Sequence, residues 1–131
     1  DVNTSTKNII LYCFAEKQGY SKFSSYTGNG NADGTFINTG FKPAFVIFKK
    51  TDGVTNWGML DNKRPGYNVN NELVPNTTAA EVVVDRADFL SNGFKIRTTG
   101  SEYNTSGGSY IYMAFAENPL VTSTGIPATA R

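Results

Sequence analysis

The chain has 131 residues, enough for one compact domain and too few for two with adequate cores. A hydrophobic fraction of 39 % supports a core, a charged fraction of 18 % is too low for a chain held open by repulsion, and a net charge of +1 lacks the basic footprint of a nucleic-acid binder. Histidine is absent and Cys13 is the sole cysteine, which excludes an internal disulfide framework, zinc sites built from Cys and His, and Ser-His-Asp or Cys-His nucleophilic machinery.

Abundant Gly, Asn, Thr, Tyr and Phe predict an all-β chain of strands joined by tight turns. The first predicted strand is the apolar run from Lys7 to Ala15, in which Cys13 is a buried, inert thiol. Tyr20 to Tyr26 follows, with aromatics three apart, read as a strand containing a bulge. Thr27 to Gly34 is a loop by composition, and Thr35 to Thr39 a short strand. Ala44 to Lys50 is almost continuously apolar and is placed centrally in a sheet. Asp52-Gly53 signals a turn, after which Asn56 to Asp61 pairs back as a hairpin.

Asn62 to Thr78 is expected to be a long surface loop, where function concentrates. In Ala79 to Leu90 the β-branched Val82-Val83-Val84 outweighs the helix-favouring Ala79-Ala80-Glu81, so this segment is read as mostly strand. Asn92-Gly93 predicts a hairpin turn into the alternating strand Phe94 to Thr98, and Tyr110 to Ala116 is the last strand. The polar tail from Asn118 carries two prolines and reads as an extended arm. No run approaches the roughly 20 apolar residues of a membrane helix. The start at Asp1 is read as that of a cleaved or trimmed product.

One internal echo stands out. Leu11-Tyr12-Cys13-Phe14-Ala15-Glu16 matches Tyr112-Met113-Ala114-Phe115-Ala116-Glu117 at a distance of 101 positions. That period is too long for a solenoid and fits tandem β-modules that close with the same strand. The expected organisation is residues 1–18 as the last strand of a preceding module or an exchange strand, 19–118 as a β-module, and 119–131 as a C-terminal arm.

Tyr12 to Glu16, Gly19 to Phe23, Tyr26 to Gly30, Thr39 to Val46, Asp61 to Arg64, Asp88 to Lys95 and Tyr110 to Pro119 resemble a module of tail and fibre proteins of marine tailed phages. Gly125 to Arg131 is similar to the C-terminus of such proteins. Members of this type often adjoin concanavalin-like, jelly-roll lectin modules. The resemblance implies an antiparallel β-sandwich and a virion structural protein that self-associates and contacts other virion proteins. It also hints at host glycan binding and supplies no catalytic residues.

The residues themselves offer two candidate sites. Asn29-x-Asn31-x-Asp33-Gly34 imitates the first half of a calcium loop, but position twelve is Gly40 rather than a bidentate glutamate, so a plain turn is the better reading. A glycan site would stack a sugar on an exposed aromatic while amides and carboxylates bond its hydroxyls. Trp57, Tyr67 and Tyr103 are the candidate aromatics, with Asn56, Asp61, Asn68 and Asn70 as polar partners. Trp57 as a core residue, and the tyrosines as covers for strand ends, are the competing assignments. Asn-x-Ser/Thr matches at Asn3, Asn76 and Asn104 follow from composition.

Three functions are weighed. The first is a non-enzymatic structural domain of a phage tail fibre or surface appendage, assembling as a homo-oligomer without nucleic acid, membrane insertion or cofactor. The second is a lectin-like receptor-binding module for host surface glycans. The third, a glycan depolymerase, would rest on paired carboxylates alone, and none of the eleven acidic residues forms a distinctive pair in sequence.

Overall fold

The computed structural model describes residues 5, 8–64, 68, 71–121 and 127–128. In chain order they form β1 (Ser21–Thr27), β2 (Phe36–Asn38), β3 (Pro43–Lys50), β4 (Trp57–Asp61), β5 (Ala87–Leu90), β6 (Gly93–Ile96), α1 (Ser101–Asn104), β7 (Ser109–Ala116), β8 (Leu120–Val121) and β9 (Pro127–Ala128). The protein is all-β and sandwich-like. One antiparallel sheet has the order β1-β7-β3-β4, and a second has the order β2-β6-β5.

The three-stranded sheet follows a simple alternation. Ala87 and Phe89 on β5, Phe94 and Ile96 on β6, and Ile37 on β2 point into the core, while Asp88, Lys95 and Asn38 point out. Opposite them the larger sheet presents Tyr26, Val46, Phe48, Leu60, Tyr110, Tyr112 and Ala114. Phe94 joins the two layers, with its ring edge-on to Tyr112 at 5.2 Å and to Tyr26 at 6.5 Å, and tilted against Phe48 at 5.8 Å. Burying one such ring stabilises the fold by about 1.5–3 kcal/mol. Tyr26 stacks on Tyr110 at 4.9 Å, and its hydroxyl donates to the Tyr103 carbonyl at 2.8 Å. Burial drives the Tyr26 phenol far above its ordinary range, so it acts as a permanent donor.

Several expectations are corrected. Residues 8–16 form no strand, and Ile9, Ile10, Leu11, Tyr12, Cys13 and Phe14 are exposed. β1 pairs with β7 in unbroken register; the bulge lies instead on β3, between Pro43 and Phe45. The spacing of three in β1 needs no bulge, because it places Phe23 and Tyr26 on opposite faces, both of which are apolar. Of Ala79 to Leu90 only Ala87–Leu90 is a strand; Val82 makes an isolated bridge to Glu72, and Val83 is exposed. The Asn62–Thr78 loop is partly internal. Leu73 pairs with Met59 beside β4, and Asn71 and Glu72 are buried. Leu90 pairs with Gly93, so the hairpin turn is Ser91-Asn92 and Gly93 belongs to β6. The tail contains the β8–β9 pair rather than a plain arm.

Candidate functional site

Helix α1 has no counterpart in the sequence reading, and it organises one end of the sandwich. Tyr103 projects inward from it, 2 % exposed, with its ring edge-on to Phe48 at 5.6 Å and Arg86 over its face at 5.2 Å. Gly58 leaves room for that ring: a Cβ there would lie 2.5 Å from the Tyr103 hydroxyl. Tyr103 is therefore a core residue and not an exposed sugar platform. Arg86 is held by the buried Glu72 carboxylate at 2.8 Å.

Asn104, fully buried, is the hub of the loop between β1 and β2. Its Oδ1 accepts from the Asn29 backbone N–H at 2.8 Å. Its Nδ2 donates to Asn29 Oδ1 at 3.0 Å, the Asn31 carbonyl at 2.6 Å and the Thr98 carbonyl at 2.9 Å. The candidate calcium ligands are thus engaged with the protein itself. Asn29 Oδ1 also accepts from the Asn31 N–H, and Asn31 Oδ1 from the Asp33 N–H, each at 2.9 Å. Asp33 turns away to Lys95 at 2.6 Å and Arg97 at 3.3 Å. The Lys95 hydrogen bond and charge hold its carboxyl below the usual range. Among the described residues no cluster of three or more Cys, Asp or Glu side chains could hold a metal.

The remaining candidate glycan ligands are engaged separately. Trp57 and Asp61 lie at opposite ends of β4. Trp57 is half-buried and its backbone N–H donates to Asn76 Oδ1 at 3.0 Å, while Asn76 Nδ2 donates to Asn56 Oδ1 at 3.0 Å. This half-buried tryptophan, with two linked amides at its backbone, is the nearest approach to a sugar platform; Asn76 is the partner that sequence reasoning missed, because 19 positions separate it from Trp57. Asp61 accepts from the Lys63 N–H at 2.9 Å and pairs with Arg64 at 2.6 Å. Arg64 also pairs with Glu81, which accepts from Asn71 at 2.7 Å. Asn68, at φ 56°, accepts from the Phe89 N–H at 2.8 Å and donates to Asp88 at 3.2 Å, which fastens its loop to β5. Tyr67 and Asn70 lie outside the described residues.

The most distinctive surface is the outer face of the four-stranded sheet. Register places Ser25, Ile111, Lys49 and Trp57 in one row across it, and Phe23, Met113, Ile47 and Met59 in the next. A third row holds Phe115 and Phe45, ending at Asp61. Lys49 takes its ammonium off the face, donating to the Thr55 carbonyl at 2.9 Å and the Lys50 carbonyl at 3.1 Å. Phe14 and Tyr20 meet Phe115 at 6.0 and 6.3 Å, and Leu73 lines the β4 edge. No third sheet or helix of the described residues covers the rest. Ile111, in the middle of the first row, is 43 % exposed. The near-continuous apolar runs of β3 and β7 thus have the composition of strands buried on both faces, yet among the described residues one face is covered only at its Phe115 end.

At one corner Glu117 accepts from Lys42 at 2.9 Å and from Asn62 Nδ2 at 2.9 Å, joining the end of β7 to neighbouring loops. The Lys42 hydrogen bond is the main cause that holds the Glu117 carboxyl below its ordinary value of 4.5. A depressed carboxyl stabilises the fold above the unfolded-state value and loses that contribution as pH falls through the folded one. The urea midpoint should therefore fall between about pH 5 and pH 3, and Glu117→Gln should remove part of that slope while leaving neutral stability within about 1 kcal/mol. A groove of about 440 Å³ lies nearby, lined by Glu16, Lys22, Thr39 and Gly40. Its charged groups are satisfied as a Glu16–Lys22 pair at 2.8 Å.

The family model that matches spans residues 1–119 and is described as a domain of unknown function, DUF7483. The chain belongs to this family. No curated protein and no solved structure matches it.

Proposed function

We propose that this protein is a structural module of a tailed-phage virion, in a tail fibre or surface appendage, and that it assembles as a homo-oligomer through the outer face of its four-stranded sheet. The observation that carries the assembly reading is that face: rows of Phe, Ile and Met with their one lysine turned aside and no covering layer among the described residues. The virion assignment draws on the resemblance of the Tyr12–Glu16, Gly19–Phe23 and Asp88–Lys95 strings to phage tail proteins. Sedimentation velocity tests the assembly. The wild type should sediment as a closed oligomer, and Ile111→Glu should sediment as a folded monomer, because Ile111 is exposed on the isolated chain and its charge would be desolvated only at the interface. A wild type that stays monomeric up to its solubility limit would overturn the assembly reading.

A second reading, host glycan recognition, is favoured by the half-buried Trp57, whose backbone N–H is bonded to the linked Asn76 and Asn56 amides. Trp57→Ala should abolish saturable binding on a glycan array while the thermal unfolding profile remains cooperative. Undiminished binding by that variant would remove the site.

A further inference from the structure

Residues 8–16 are anomalous in energy as well as in shape. Ile9, Ile10, Leu11, Tyr12 and Phe14 are 48, 79, 78, 79 and 60 % exposed, a run of large apolar side chains that pairs with no strand among the described residues. Exposed runs of this kind mark an interaction surface. Among the described residues the segment is tied down at its C-terminal end, where the Phe14 ring meets Phe23 and Phe115 edge-on at 6.3 and 6.0 Å, Ser21 Oγ donates to the Ala15 carbonyl at 3.1 Å and Lys22 pairs with Glu16.

The internal echo says what such a strand fits. At the spacing of 101 positions, Ile9, Leu11, Cys13 and Ala15 fall on Tyr110, Tyr112, Ala114 and Ala116, and Ile10, Tyr12, Phe14 and Glu16 on Ile111, Met113, Phe115 and Glu117. In β7 the first set faces the core: Tyr110, Tyr112 and Ala114 are 0, 4 and 0 % exposed. The segment is apolar at every one of these positions. At the narrowest, where Ala114 sits between Lys22 of β1 and Val46 of β3, it carries the small Cys13. The echo therefore reproduces the pattern of a seat, residue by residue, and not merely an apolar composition. In this chain β7 already fills that seat, which leaves the segment without one.

We infer that Asn8–Glu16 is a donated strand. It occupies the β7 position of another copy of this fold lying ahead of it in the same polypeptide, between that copy's β1 and β3, with Ile9, Leu11 and Cys13 in that copy's core. The turn after Glu16, closed by the Tyr20 N–H to Lys17 carbonyl bond at 3.0 Å, then leads directly into β1 of this module. Two modules joined in this way share a strand-to-strand junction in place of a free linker. Two positions differ in kind: Leu11 lacks the hydroxyl with which Tyr112 hydrogen-bonds to Ser24, on the exposed part of β1, and Ile9 makes the larger change. Ile9 lacks the hydroxyl with which Tyr110 donates to the Ser101 carbonyl at 2.7 Å and accepts from the Thr105 N–H at 2.8 Å.

A tandem chain tests this, made of residues 1–108 followed directly by residues 8–131, with Cys13→Ser in the first copy. The second copy's segment then stands where the first copy's β7 began. In the isolated chain Cys13 is exposed and should react at once with a thiol reagent. In the tandem the junction Cys13 should react about 100-fold more slowly or slower still, and the amides of residues 9–15 should become protected from hydrogen exchange. A second tandem with Ile9→Tyr at the junction restores the hydroxyl that Tyr110 carries, so that a first copy failing for that reason alone is recognised. A junction thiol as reactive as that of the isolated chain in both tandems would overturn the inference. Protection of Cys13 already in the isolated chain would overturn it too, by assigning the segment to its own β1 edge or to self-association.

Discussion

Asn104→Ala is expected to destabilise the fold by about 3–5 kcal/mol, a large fraction of what a domain of this size holds. The side chain is fully buried and serves four partners: the Asn29 N–H, Asn29 Oδ1 and the carbonyls of Asn31 and Thr98. Alanine removes the partner of that N–H and of the carbonyls at a position that is itself fully buried, at about 1–3 kcal/mol for each group left unpaired. The neighbouring backbone cannot collapse onto the gap, because the Gly30 N–H is already committed to the Asn104 carbonyl at 2.9 Å and the Gly28 N–H to the Gly108 carbonyl at 2.9 Å. Asn104→Asp sharpens the test. It keeps the acceptor for Asn29 but presents a second carboxylate oxygen to the Asn31 and Thr98 carbonyls, so it should be the worse variant at neutral pH. Its folded-state pKa would be raised, so its deficit should shrink as pH falls and the carboxyl gains an O–H donor. Urea unfolding of the three proteins at neutral and mildly acidic pH checks both claims. A loss under about 1 kcal/mol in Asn104→Ala would mean that the loop is held by its own turns.

What could be read from the sequence divides along physical lines. β3, β4 and β7 were legible because apolar runs bounded by Pro43, Asp52-Gly53 and Gly107-Gly108 leave little choice of period or limits. β6 was legible by alternation. Asn104 was not, since an asparagine followed by Thr-Ser in a polar stretch is typical of an exposed loop, and only its distance in space to Asn29, 75 positions away, makes it structural. Tyr103 failed for the same reason: a tyrosine among Glu, Asn and Ser is ordinarily a surface residue, and here a one-turn helix and the absent side chain of Gly58 admit it to the core. The segment at residues 8–16 is the instructive error. Its composition and alternation are those of a strand, and the failure lies in the partner, because β7 already holds the matching place between β1 and β3. Local sequence specifies a strand's faces, whereas tertiary context decides whether it is paired.

Gly93 shows the same division at a single residue, and its substitution is the second large effect expected. As the second half of Asn-Gly it reads as a turn glycine, valued for a positive φ. Its φ is not positive, and it sits on β6, the central strand of the smaller sheet, paired with Leu90 on one side and Asn38 on the other. The reason for glycine is occlusion: a Cβ there would clash with the Ile37 carbonyl oxygen and would lie 3.0 Å from Ile37 C and 3.1 Å from Asn38 Cα. These are backbone atoms of β2, which cannot rotate away as a side-chain end would. Gly93→Ala must therefore push β2 off the sheet, together with the bonds from the Thr39 and Gly40 N–H groups to the Asn92 carbonyl at 3.0 and 3.2 Å. A loss of about 3–5 kcal/mol is expected, at the upper end for overpacking because backbone must move. Gly40→Ala is the matched control. Gly40 has φ +80° and open space around it, so alanine there meets only backbone strain, about 1–2 kcal/mol. Denaturant unfolding of the two variants separates the causes. If Gly93→Ala cost no more than Gly40→Ala, backbone conformation would be the reason for both glycines, and the close approach of β2 to β6 would not be what excludes a side chain at position 93.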